Sequence, residues 1–164
     1  MKHLFAPWRM EYIGGQKEDG CFLCNFPRKN RDEENLILFR GKNSFIIMNR
    51  FPYNPGHIMI APYKHIDSID KLDKDEIYEI IDLCNCSVKA IKECMRPDGF
   101  NIGMNLGKTA GAGVADHIHL HIVPRWDGDI NFMPVLADTK VIPEALEKTY
   151  KKLKEAIDKV INAI

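Results

Sequence analysis

The sequence predicts an α+β fold: an antiparallel five-stranded sheet with one long helix packed on it and a C-terminal helix. Three observations carry this. The strand-like apolar runs are grouped rather than alternating with helices. Only one stretch before the C-terminal segment, residues 73–95, sustains a helical period. Three histidines at every second position, His117, His119 and His121, alternate with Ile118, Leu120 and Ile122, as the two faces of an extended strand require.

Taken in order, residues 36–39 and 44–49, separated by Arg40-Gly41-Lys42-Asn43, read as a hairpin. A third strand, 57–62, follows the turn Pro52-Tyr53-Asn54-Pro55-Gly56. From 73 to 95, Ile77, Ile80, Ile81, Cys84, Val88, Ile91 and Met95 recur at three- and four-residue spacing, and Pro97 and Gly99 stop the helix. Phe100–Asn105 reads as a fourth strand, Lys108–Asp116 as a loop, His117–Val123 as a fifth strand, and 143–163 as the closing helix.

The histidine strand is the chemical signal. Imidazole titrates at about 6.5, which suits nucleophilic, acid–base and metal chemistry near neutral pH. As core residues, three rings on one strand would each need a buried partner. One shared metal ion is excluded, because His117 and His121 lie roughly 13 Å apart along a strand whereas Zn–N bonds are about 2 Å. A neighbouring pair could share an ion and leave one ring for other work.

Composition bounds the rest. A chain of 164 residues, 45% hydrophobic, suits one domain with a sizeable core. We divide it into an N-terminal segment (1–35) with a Cys-x-x-Cys knuckle, a catalytic core (36–126), and a tail with helix (127–164). Its 23 basic and 23 acidic side chains leave no footprint for general nucleic-acid or membrane-surface binding. No run is apolar enough to span a bilayer and the N-terminus lacks a signal-peptide pattern, so the cytoplasm is the expected compartment. Five cysteines without a framework pattern point to reduced thiols or metal ligation.

The run His117-Ile118-His119-Leu120-His121-Ile122-Val123 resembles the signature of the histidine triad (HIT) family of nucleotide hydrolases and transferases. The flanking GFNIGMNLGKTAGAGVADH and the segment after the triad are similar to the bacterial branch that includes diadenosine tetraphosphate phosphorylases. The resemblance implies the same antiparallel α+β sheet. It also implies that His119 attacks an α-phosphorus to form a nucleotidyl-histidine, with His121 and His57 fixing its tautomer and stabilising the imidazolium. A homodimer is implied as well, with the 73–95 helix or the C-terminal helix as candidate shared face.

The glycine-rich stretch before the triad is not a P-loop. Three residues, not four, separate Gly103 from Gly107-Lys108-Thr109, and Ala110-Gly111-Ala112-Gly113 starts a helix poorly. Gly111 and Gly113 still let backbone N–H groups approach an anion, so this loop is expected to cradle substrate phosphates; the alternative is a plain turn. Asn49 and Asn105 match positions resembling nucleotide contacts, although asparagine at a strand end is commonly a turn residue. Gly113 and Val114 stand where hydrolase branches often carry Gln and Ser. That departure disfavours water and leaves room for inorganic phosphate as acceptor, with Lys108, Thr109, Arg125 and Trp126 as candidate contacts. Exposed Lys or Arg is usually just solvated charge.

Cys21 and Cys24 have the two-residue spacing used for zinc. By resemblance to zinc-bearing relatives, His65 and His117 would complete a structural site. A redox dithiol or two buried thiols are the alternatives, and a thioredoxin-like reading lacks its βαβ context. Cys84, Cys86 and Cys94 read as small apolar residues. His3 carries no role. The aromatic segment from Phe5 to Tyr12 is suited to packing on a partner subunit or a base. Three function classes follow: a phosphorylase acting on diadenosine tetraphosphate or a related dinucleoside polyphosphate, a hydrolase with the same intermediate, and a non-catalytic nucleotide- or metal-binding module.

Overall fold

The structure, a computed structural model, describes residues 20–129 and 144–163. The aromatic segment from 5 to 12 and His3 lie outside them. In chain order the elements are α1 (Phe22–Arg28), α2 (Asp32–Asn35), β1 (Ile37–Arg40), β2 (Ser44–Met48), β3 (Ile58–Pro62), α3 (Lys74–Met95), β4 (Gly99–Met104), β5 (Leu120–Arg125) and α4 (Leu146–Asn162). Single 3-10 turns sit at Ile69–Lys71 and Lys108–Ala110.

The five strands form one antiparallel sheet in the order β1-β2-β3-β5-β4. One face carries Leu38, Ile46, Met48, Ile58, Ile60, Leu120 and Ile122 against Ile80, Leu83, Ala90 and Ile91 of α3 and Tyr150, Leu153, Ala156 and Ile157 of α4. The opposite face carries Ile37, Phe45, Ile47, Met59 and Ala61 under Leu23 of α1. Because both faces of the β1–β3 half are covered, all five residues of β2 and of β3 are buried.

Local chemistry sets the boundaries. Asp73 caps α3 in a reciprocal box: Glu76 N–H donates to Asp73 Oδ1 at 2.9 Å, and Asp73 N–H donates to Glu76 Oε2 at 2.8 Å. Arg96, left-handed at φ 50°, ends the helix one residue before Pro97.

Two expectations need correction. Ile81 was placed on the packed stripe of α3, yet it is 56% exposed, and Leu83, Cys86, Ser87 and Ala90 are buried instead. The buried arc is rotated because α3 packs against α4 as well as the sheet. The fifth strand begins at Leu120 rather than His117. Its ladder starts where β3 and β4 first supply partners, at Leu120 opposite Ile60 and Met104. The two short helices α1 and α2 had no counterpart in the sequence reading. No helix among the described residues is long and apolar enough to cross a membrane.

Candidate functional site

The face of the sheet that carries α1 also carries the histidines. Met59 pairs with His121, and Ile58 with Ile122, so odd-numbered residues of β3 and β5 share that face while Ile58 and Ile122 enter the helix-side core. His57 precedes β3 on the same side. Gly56 just before it has φ 76°, and a Cβ there would meet Met95 Sδ at 2.6 Å; the turn delivering His57 therefore requires glycine.

At the end nearest α1, four side chains converge. Cys21 caps α1 and accepts Cys24 N–H and Asn25 N–H at 3.1 Å each, which puts Cys21 and Cys24 one helical turn apart on one side. Sγ of Cys21 and Cys24 lie 3.3 and 3.4 Å from His117 Nδ1. His65 Nδ1 lies 3.3 Å from both Cys24 Sγ and His117 Nδ1. The four donor atoms fall within 4.8 Å of one another. A tetrahedral zinc site with bonds of about 2.0 and 2.3 Å has edges of about 3.3 Å between nitrogens and about 3.5 Å between nitrogen and sulfur, so the arrangement fits that metal. His117 Nε2–H donates to Pro62 O at 2.8 Å, leaving the Nδ1 lone pair turned to the centre.

Further along, backbone groups dictate the tautomers. His119 Nδ1 is 2.8 Å from the His117 carbonyl, which only accepts, so Nδ1 carries the proton and Nε2 holds a lone pair. Tyr53 N–H donates to His57 Nδ1 at 3.0 Å, which puts the His57 proton on Nε2. That proton is donated to His121 Nδ1 at 2.9 Å, so neutral His121 is a donor through Nε2–H. The His119 and His121 rings stand edge to face at 4.6 Å, and Tyr53 stacks on His57 at 4.8 Å. Burial lowers the pKa of His119, which is only 6% exposed. Burial, with His119 as a second cause, lowers that of His121 to about 4. Both rings are neutral near pH 7.

The other expected contacts divide. Asn49 Nδ2 lies 3.3 Å from His57 Nδ1, and its Oδ1 accepts Phe51 N–H at 2.9 Å, so Asn49 borders the histidine group while also shaping a turn. Asn105 is half-buried just past β4, and Lys108, Thr109, Gly111 and Gly113 are exposed in the following loop. A Cβ at Gly111 or Gly113 would meet nothing within 4 Å, but the φ of 87° at Gly111 favours glycine. Arg125 lies four residues beyond His121, about 13 Å along the strand. Its guanidinium grips both Asp129 carboxylate oxygens at 2.7 and 2.8 Å and donates to Asn101 Oδ1 at 2.7 Å. Trp126 N–H donates to the same Asp129 at 3.1 Å. The fold therefore groups His57, His119, His121 and Asn49, and sets Arg125 and Trp126 apart from them.

Sequence reasoning missed Tyr53, the Asp129 clamp and the carbonyls of His117 and Pro62. Carbonyl partners leave no residue signature, although the aromatic side chain immediately upstream of Asn54-Pro55-Gly56-His57 was visible.

Comparison with known proteins agrees with this geometry. The HIT domain family model matches residues 30–128. The chain is 36% identical over 162 residues to AP-4-A phosphorylase of Mycobacterium tuberculosis, covering 93% of this chain and 83% of that protein. It is 28% identical over 144 residues to an uncharacterized HIT-like protein of Saccharolobus solfataricus, covering 88% and 99%. A Zn-bound histidine triad family protein from Mycobacterium smegmatis shares the fold at a TM-score of 0.71 and 23% identity, over 88% of this chain and 98% of that one. With the triad leading into β5 and the family model spanning that core, the chain belongs to the HIT domain family, in its AP-4-A phosphorylase-like branch.

Proposed function

We propose that this protein cleaves diadenosine tetraphosphate, or a related dinucleoside polyphosphate, by nucleotidyl transfer to inorganic phosphate. One observation carries the reading: the Nδ1–H of His119 is committed to a carbonyl, so its Nε2 lone pair is available as a nucleophile. Attack on an α-phosphorus forms an N–P bond and breaks the bridging P–O bond, releasing ATP from diadenosine tetraphosphate. Nδ1–H stays on the His117 carbonyl and stabilises the imidazolium. His121, oriented by His57, donates Nε2–H to phosphoryl oxygen as charge develops. A phosphate oxygen then displaces His119 and gives ADP. Amides of the loop holding Lys108, Thr109, Gly111 and Gly113 supply further donors to the phosphates, and Asn49 and Asn105 contact the nucleotide. Arg125, at the far end of β5, and Trp126 just beyond it are the further candidate contacts for the phosphate acceptor.

The name of the M. tuberculosis relative supports phosphorolysis. Hydrolysis is the second reading, favoured by a Bis(5'-adenosyl)-triphosphatase of Dictyostelium discoideum, 30% identical over 89 residues. Product analysis with and without orthophosphate separates them: ADP plus ATP is expected with phosphate, and AMP plus ATP would overturn the proposal. Trapped nucleotidyl-protein that disappears in His119→Ala would exclude a mere binding module.

Cys21, Cys24, His65 and His117 would hold zinc, whose chemistry there is to cross-link the N-terminal segment to the catalytic strand. Tyr78 and Ile81 on α3 and Ile102 on β4 are large exposed apolar side chains, which supports a homodimer.

A further inference from the structure

We propose that the Cys21–Cys24–His65–His117 centre positions the nucleophile, through the peptide unit that joins His117 to Ile118. This rests on the reading of the centre as a zinc site and of His119 as the attacking residue.

The argument begins with that one peptide. Its carbonyl accepts His119 Nδ1–H at 2.8 Å, and its N–H, on Ile118, donates to Ile66 O at 2.6 Å. A trans peptide is planar and its C=O and N–H point in opposite directions, so fixing one end aims the other. Anchoring the N–H on Ile66 points the carbonyl at the His119 ring. Both sides of the anchor adjoin the centre: Ile66 follows His65, and the carbonyl belongs to His117 itself. With His65 and His117 on a common ion, both flanks of the plane are held in register. Pro62 O, which accepts His117 Nε2–H at 2.8 Å, ties the same ring to the end of β3.

The clamp is needed because the segment lies outside the ladder. Strand β5 starts at Leu120, so sheet pairing does not orient residues 117–119. His119 would otherwise be free to exchange tautomers. A proton on Nε2 removes the lone pair that attacks phosphorus. His117 is thus a positioning residue, acting through His119.

The test uses full-length protein with 15N-labelled histidine, loaded with zinc and then stripped by a chelator, with circular dichroism to verify that the fold persists. Metal analysis is expected to show one zinc per chain. In the loaded protein His119 should give the signature of a single tautomer with Nε2 unprotonated, and stripping should turn it into a tautomer average. Turnover should fall about tenfold with KM changed less than about twofold, and added zinc should restore both. His65→Ala is the second variant: its side chain is exposed, so truncation leaves no buried hole, and it should show the same mixed tautomer at limiting zinc. His65→Cys, which keeps four donors, should retain metal and the single tautomer. Bound zinc whose removal leaves the His119 tautomer unchanged would overturn the positioning proposal and leave the metal reading standing. Absence of zinc binding would overturn both. Because the tautomer is read spectroscopically, neither outcome depends on which nucleotide is the substrate.

Discussion

Within the histidine group, the partner of one ring nitrogen decides what the other nitrogen can offer. His119 gives its Nδ1 proton to a carbonyl, and His57 takes a backbone N–H so that its own proton can reach His121. Burial then keeps His119 and His121 neutral near pH 7. His121, drawn down to about 4 from its ordinary 6.5, binds fewer protons in the fold than in the unfolded chain between those values. Its contribution to stability is therefore complete above pH 6.5 and is lost as pH falls toward 4. Imidazole NMR titration of the native protein should place the His121 midpoint near 4, and a midpoint at 6.5 would refute this. At the same scale, His119→Ala should lower turnover at least about 10³-fold, measured by product release, and, because it leaves the buried His117 carbonyl unpaired, should also cost about 1–2 kcal/mol in denaturant unfolding.

Element boundaries decide where the site can sit. The capping box at Asp73 and Glu76 starts α3, and Arg96 ends it, so the helix covers one face of the sheet and leaves the other to α1 and the histidines. Asp73→Ala removes the acceptor for Glu76 N–H and is expected to cost about 1 kcal/mol, read as a lower urea midpoint without loss of nucleotide cleavage. The C-terminal limit was legible from the sequence because Pro97 acts locally, and the apolar period carried the start to within a residue of where the capping box sets it. The fifth strand was not, since a pattern of alternating histidines specifies an extended chain and says nothing about where neighbouring strands stop pairing. Ile81 fails for a related reason. A three- and four-residue period identifies an apolar side of α3 but not its rotation once α4 competes for the same surface.

At the scale of the whole molecule, distant segments are joined by a few buried polar links. Tyr150 of α4 donates to the Ile37 carbonyl of β1 at 3.0 Å across 113 residues. Tyr150→Phe leaves that buried carbonyl unpaired and should cost about 1–2 kcal/mol in denaturant unfolding, with activity unchanged because the link lies on the helix side of the sheet. The cysteine–histidine cluster does the corresponding work on the other face, bringing α1 to the histidine segment across 96 residues.

Alternation and helical period, which are local, were enough to determine the α+β class, the five strands, the long helix and the common face of the histidines. The two-residue spacing of Cys21 and Cys24 likewise marked a knuckle, which the fold brings against His65 and His117 in an arrangement that could hold a metal ion. Tertiary structure alone decided which nitrogen of His57, His117, His119 and His121 keeps its proton, that Arg125 is held by Asp129, and that the His117 carbonyl addresses His119. Those depend on backbone groups and on how the chain turns to present a side chain, and a hydrogen bond to a carbonyl leaves no trace in the identity of the residue that supplies it.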